Sequence, residues 1–130
     1  MNSIVHFEIP ADDLDESKRF YAEAFDWEIR EDKMPDGSAY ISAVTTPMGE
    51  DWTPKEPGAI NGALIKRDGE LKNPVITVTV DSVEKAIEKV EKAGGKVVVP
   101  KATLEGVGDY AYIADPEGNV IGLWHDLPKE

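Results

Sequence analysis

Apolar and polar residues alternate over 4–9: Val5, Phe7 and Ile9 share one face, Ile4, His6 and Glu8 the other, which predicts a strand. The period then lengthens. Leu14, Tyr21, Ala24 and Phe25 mark one face of a helix that is expected to be capped by Asp12, with Asp15 three residues on, and to end near Asp26. Strands are predicted at 27–31 and 39–45, on either side of a turn at Pro35-Asp36-Gly37-Ser38. Residues 47–58 hold Pro47, Pro54, Pro57, Gly49 and Gly58 around Trp52, a loop signal. A fourth strand is expected at 60–66, and the polar stretch 67–73 joins two halves.

The second half repeats that order. Residues 75–80 are β-branched and predict a strand. Asp81 is expected to cap a helix with Val83, Ala86, Ile87 and Val90 on one face, ended by Gly94 and Gly95. Strands follow at 96–102, 109–114 and 119–125, the last two closing as a hairpin. Its turn, Asp115-Pro116-Glu117-Gly118, has an Asp side chain to accept from the turn, a Pro to pre-set φ and a Gly to relieve the exit. One offset tests the repeat: Asp81 minus Asp12 is 69, and the same shift puts Leu14 on Val83, Tyr21 on Val90, Ala24 on Ala93 and Ile29 on Val98.

Both halves therefore read βαβββ, so the fold class is α+β: two tandem βαβββ modules, about 1–67 and 74–127, within one domain over 1–130. They are expected to form a curved mixed sheet or open barrel around a cleft, with the helices outside. Strand parity points Val5, Phe7, Ile76, Val78, Val80, Ile121 and Leu123 toward the helices. It points His6, Glu8, Val75, Thr77, Thr79, Val120, Gly122 and Trp124 into the cleft. The first set is apolar and the second mixed, as suits a small-ligand site.

These residues carry a resemblance. His6-Phe-Glu-Ile-Pro, Asp13-Leu14, Phe20-Tyr21, Phe25-Asp26-Trp27 and the Asp115-Pro-Glu-Gly-Asn turn are similar to the module patterns of the vicinal oxygen chelate superfamily, which includes glyoxalase I, extradiol dioxygenases and bleomycin-resistance proteins. Asp26 stands where that pattern usually has Gly. The nearest subgroup by resemblance is the small proteins related to lactoylglutathione lyase. The resemblance implies a divalent metal held by four cleft side chains, one from the first and one from the last strand of each module. His6 matches the first position. Its repeat partner, 6 + 69 = 75, is Val75; the carboxylate expected seven residues after the turn Asp, 115 + 7 = 122, is Gly122; and Asn61-Gly62-Ala63-Leu64-Ile65 offers no carboxylate. One ligand of four does not make the usual site, since zinc catalysis uses three protein ligands and an open position. No metal and no cofactor is therefore expected.

Composition narrows the partners. Lys+Arg 14 against Asp+Glu 26 gives a net charge of −12, which disfavours phosphate backbones and anionic lipid. No nucleic acid or membrane partner is expected. The chain has no Cys, so it has no thiolate nucleophile and no disulfide framework. The start Met-Asn-Ser-Ile-Val-His lacks the basic and apolar regions of a signal peptide, and a cytoplasmic location is the expectation. The expected ligand site comprises His6, Glu8, Trp52, Thr77, Tyr110, Tyr112 and Trp124, with the Trp52 loop as a lid. His6 and Glu8, two apart on one strand face, are the candidates for acid–base chemistry. His125 faces away from Trp124 and is read as surface or helix packing. The reading is a small-molecule-binding protein without the usual metal site; the alternative is a metal-independent or weakly metal-dependent lyase or isomerase using His6 and Glu8. Whether the chain is an enzyme is left open at this point. Resemblance to proteins of this size implies a homodimer.

Overall fold

The computed structural model describes residues 1–34, 36–51 and 53–127. The chain divides into two compact units: an N-terminal unit, His6–Pro74, and a C-terminal unit made of Met1–Val5 with the residues from Val75 onward. Each is a four-stranded mixed sheet with one helix on one face.

The N-terminal unit runs β1 (Ile4–Ala11), α1 (Leu14–Phe25), β2 (Glu28–Lys33), β3 (Ala39–Val44) and β4 (Asn61–Lys66), with Ile4 and Val5 of β1 belonging to the other unit. Its strand order is β2-β3-β4-β1, β1 pairing parallel to β4 and the other pairs antiparallel. The C-terminal unit runs β5 (Val75–Thr79), α2 (Val83–Lys92), β6 (Lys96–Leu104), β7 (Gly108–Ala114) and β8 (Val120–Asp126) in the order β5-β8-β7-β6, with β5 parallel to β8. Both modules therefore share one topology, first-fourth-third-second, as the repeated pattern predicted.

Each helix starts one residue later than expected. Asp13 caps α1, accepting from Glu16 N at 3.1 Å, and Ser82 caps α2, accepting from Lys85 N at 3.2 Å. Asp12 is instead held by Arg67 at 2.8 Å, so its carboxylate is not available to the helix. The two caps are still 69 apart (82 − 13), so the repeat offset survives the correction. Asp26 ends α1 at φ 59, and its N–H donates to the Ala22 carbonyl. The place where the family pattern has Gly is thus a left-handed position, which Asp tolerates better than most residues.

The helix-side cores follow the predicted parity with two exceptions. In the C-terminal unit Val80, Val83, Ala111, Ile113 and Leu123 are buried, with Val78, Ala86, Ile87, Val90 and Ile121 packed on them. A fully buried aliphatic side chain such as Val83 contributes about 1.5–3 kcal/mol. In the N-terminal unit Ile41, Ala43 and Leu64 are buried beneath Phe7, Ile9, Leu14, Tyr21, Trp27 and Ile29. Val5 and Ile76, expected under the helices, are instead exposed. Helix α2 is short, and its apolar face reaches Val78 and Val80 but not Ile76. On α1, Ala24 and Phe25 likewise miss the core; Phe25 lies exposed, its ring tilted against those of Tyr21 and Trp27.

The terminal hairpin is as the turn chemistry predicted. Glu117 N and Asn119 N both donate to Asp115 Oδ1 at 2.9 Å, and Gly118 has φ +86. Strand β6 extends to Leu104, with register shifts between Val97 and Ala102; Pro100 lies there, tolerated because β6 is a sheet edge. No helix among the described residues is long and apolar enough to cross a membrane.

Candidate functional site

In the N-terminal unit, pairing sorts the residues on the sheet face opposite α1. Since Phe7 and Ile9 pack on the helix side, His6 and Glu8 point the other way. His6 lies opposite Asn61, and Glu8 opposite Ala63, which pairs in turn with Ser42, and Ser42 with Arg30. Tyr40 joins this face two residues before Ser42. His6 and Glu8 thus share one face, as expected, together with a tyrosine that sequence reasoning had not placed there. Burial makes charge on the imidazole costly, so the His6 pKa is lowered, offset in part by a hydrogen bond to the Asn61 backbone. The Tyr40 hydroxyl is pushed up to about 12, first by burial and second by the negative charge of Glu8. At neutral pH this face presents a neutral imidazole and a protonated phenol.

Asn61 ties the same strand to the following loop. Its Oδ1 accepts from Thr45 N at 2.7 Å and Thr46 N at 3.0 Å, and its Nδ2 donates to Thr46 O at 3.3 Å. Thr45 Oγ1 adds a bond to Ile60 O at 2.7 Å. The 47–58 loop is internally braced: Met48 and Pro54 form an antiparallel bridge, Gly49 N donates to Thr53 O, and Lys55 N donates to Pro47 O. Trp52, expected as a lid aromatic, lies outside the described residues.

In the C-terminal unit the face opposite α2 carries two cross-strand rows. One is Thr77–Gly122–Tyr112–Val99; the other is Thr79–Trp124–Tyr110–Ala102. Tyr110 and Tyr112 meet edge to face, with ring centroids 6.1 Å apart. The Trp124 ring lies over Gly108, where an added Cβ would come within 2.4 Å of Cζ2, and its Nε1 donates to Asp126 Oδ1 at 2.6 Å. Trp124 is half-buried rather than core, so the full cost of truncating a buried aromatic does not apply to it. His125 turns the other way, its Nδ1 3.0 Å from Val80 O; a carbonyl only accepts, so Nδ1 carries the proton. His125 therefore lies on the helix side of β8, tied to the residue that follows β5.

The residues do not fit the family metal. In the C-terminal unit the first-strand position is Val75, 2 % exposed and apolar, and the last-strand position is Gly122, which faces Thr77. A Cβ at Gly122 would sit 2.7 Å from Thr77 Oγ1, so a carboxylate there has no room. In the N-terminal unit His6 brings an imidazole, but Ala63, which faces Glu8 as Gly122 faces Thr77, brings nothing. Among the described residues no three His, Asp or Glu side chains are grouped to hold a metal ion.

A pair of βαβββ modules with one helix per sheet defines the class of fold. Residues 3–123 match the model of the glyoxalase/bleomycin resistance protein/dioxygenase superfamily, and the chain belongs to that family. A provisionally named glyoxylase, CFP32, of Mycobacterium bovis is 31 % identical over 115 residues, which cover 86 % of this chain and 41 % of the relative; the Mycobacterium tuberculosis protein of that name matches equally. The chain thus spans about two fifths of the length of these curated relatives. Among solved structures, a Streptomyces coelicolor methylmalonyl-CoA epimerase variant bound to 2-nitronate-propionyl-CoA superposes with TM-score 0.67 at 15 % identity, over 96 % of this chain and 97 % of that one. Mycobacterium tuberculosis methylmalonyl-CoA epimerase gives 0.64 at 16 % identity, over 96 % and 88 %. The hypothetical protein BH1468 of Bacillus halodurans gives 0.66 at 14 %, over 99 % and 97 %. At these identities the likeness is one of fold.

Proposed function

We propose that this chain is a small-molecule-binding member of the superfamily that holds its ligand without the usual divalent-metal set. The observation that carries this reading is the contrast between the two sides of the C-terminal sheet. The α2 side is closed by aliphatic packing, whereas the opposite side presents the half-buried Tyr110, Tyr112 and Trp124, with Thr77 buried beside them, a large aromatic area with hydroxyls interspersed. The net charge of −12 favours an uncharged or cationic ligand over the phosphate groups of an acyl-CoA, although the epimerase neighbours take CoA esters. The test is a titration of small aromatic compounds and of propionyl-CoA, followed by tryptophan fluorescence in wild type and Trp124→Ala. Saturable binding to wild type that weakens at least tenfold in Trp124→Ala supports the reading; no saturable binding by any compound refutes it.

A second reading, a metal-independent lyase or isomerase related to lactoylglutathione lyase, is favoured by one observation: burial keeps His6 neutral and so available as a base. Proton exchange at the carbon next to a thioester carbonyl, or at the hemithioacetal carbon next to a ketone, in the presence of chelator and abolished by His6→Gln, would establish it. No exchange above that of His6→Gln would remove it.

A further inference from the structure

Among the described residues one buried side-chain oxygen or nitrogen lacks a hydrogen-bond partner, the hydroxyl of Thr77. Thr77 is 5 % exposed, and a hydroxyl buried without a partner costs free energy that folding ordinarily avoids. Its place in the sheet gives the cost a reason. Gly122, directly across on β8, has no side chain, while Thr77 and Tyr112 stand on either side of it in the same row. The middle of the row is therefore a backbone floor, and the Thr77 side chain tips across it. The Thr77 hydroxyl leans over that floor, 2.7 Å from where a Cβ of residue 122 would be. Tyr110, in the next row, meets Tyr112 edge to face and supplies a flat apolar wall, while the Trp124 ring leans away from this row over Gly108. None of Thr77, Thr79, Tyr110, Tyr112 and Trp124 is cationic, so the lining has nothing to neutralise a carboxylate or phosphate but can pair a neutral oxygen.

Resting on the ligand-binding reading above, we infer that Thr77 is the polar anchor of that site, its hydroxyl donating to the carbonyl oxygen of an uncharged, flat ligand seated against the Thr77–Gly122–Tyr112 row. The hydroxyl is left unpaired in the free protein because the ligand completes it. Ligands lacking that oxygen leave it unpaired and bind more weakly, a difference of about tenfold for one hydrogen bond.

The test uses a matched pair of probes, 1-indanone and indane, which differ in one carbonyl, titrated against wild type, Thr77→Val and Thr77→Ser while following the backbone amides of Thr77 and Gly122 by NMR. Wild type and Thr77→Ser are expected to prefer 1-indanone about tenfold, and Thr77→Val, which keeps the shape and loses the hydroxyl, to show no preference. Without ligand, Thr77→Val is expected to melt about 3 °C higher, since it removes an unpaired buried hydroxyl. A Thr77→Val protein that melts lower has lost a structural partner of the hydroxyl, and one that still prefers 1-indanone does not use Thr77 as anchor; either result overturns the inference while ligand binding itself stands. If wild type binds neither probe, the inference fails, and the wider compound titration decides whether the binding reading fails with it.

Discussion

His6 and Tyr40 show how burial sets the chemistry of single residues. Because the folded pKa of His6 lies below its ordinary 6.5, the unfolded chain binds the proton more readily. The contribution of His6 to stability is complete above pH 6.5 and is lost as the pH falls through the lowered folded value. Urea denaturation at pH 7 and pH 5 should therefore show wild type losing more stability on acidification than His6→Gln; equal losses would place the imidazole in water. For Tyr40 the raised value favours the neutral phenol. Glu8→Gln removes the smaller of its two causes, so a spectrophotometric titration should show the highest tyrosine transition move below about 12 yet stay above the ordinary 10. If the transition does not move, Glu8 and Tyr40 do not sense each other.

At the level of elements, the strands are held in register by small residues and by one amide. Gly62 lies under Phe7, where an added Cβ would meet the ring and the Phe7 carbonyl at 2.5 Å, so Ala there forces β1 and β4 apart. Asn61 works on the neighbouring loop. Asn61→Ala leaves the amides of Thr45 and Thr46 without their acceptor and should cost about 2 kcal/mol. Hydrogen exchange at those two amides should rise more than at the β7–β8 ladder. Unchanged exchange at Thr45 and Thr46 would mean that other groups hold the base of the loop. The brace between Met48 and Pro54 gives this loop a small fixed frame of its own, which its Pro and Gly content alone did not reveal.

For the molecule as a whole, the open matter is association. We propose a homodimer, supported by the exposed Ile4, Val5 and Ile76 of the C-terminal unit and by curated relatives more than twice as long as the matched stretch. Sedimentation at micromolar concentration is expected to give about twice the 14.3 kDa chain mass; a value equal to one chain would remove the dimer.

Periodicity and turn chemistry are local, and what depends on them was legible in the sequence. The two βαβββ modules, the 69-residue offset, the Asp115 turn and the helix-facing Val78, Val80, Ile121 and Leu123 all follow from spacing along the chain, because a side chain's face is set by its neighbours a few residues away. The pairing of helix caps was legible too, though the choice between Asp12 and Asp13 was not: it turns on Arg67, more than fifty residues distant, which takes the Asp12 carboxylate. Only the tertiary structure set Tyr40 on the face of His6 and Glu8, turned Val5 and Ile76 outward, and put the Thr77 hydroxyl over Gly122 with no partner among the described residues. Each depends on which strands become neighbours and how far a helix reaches across them, and those contacts join residues whose separation along the chain carries no local signal.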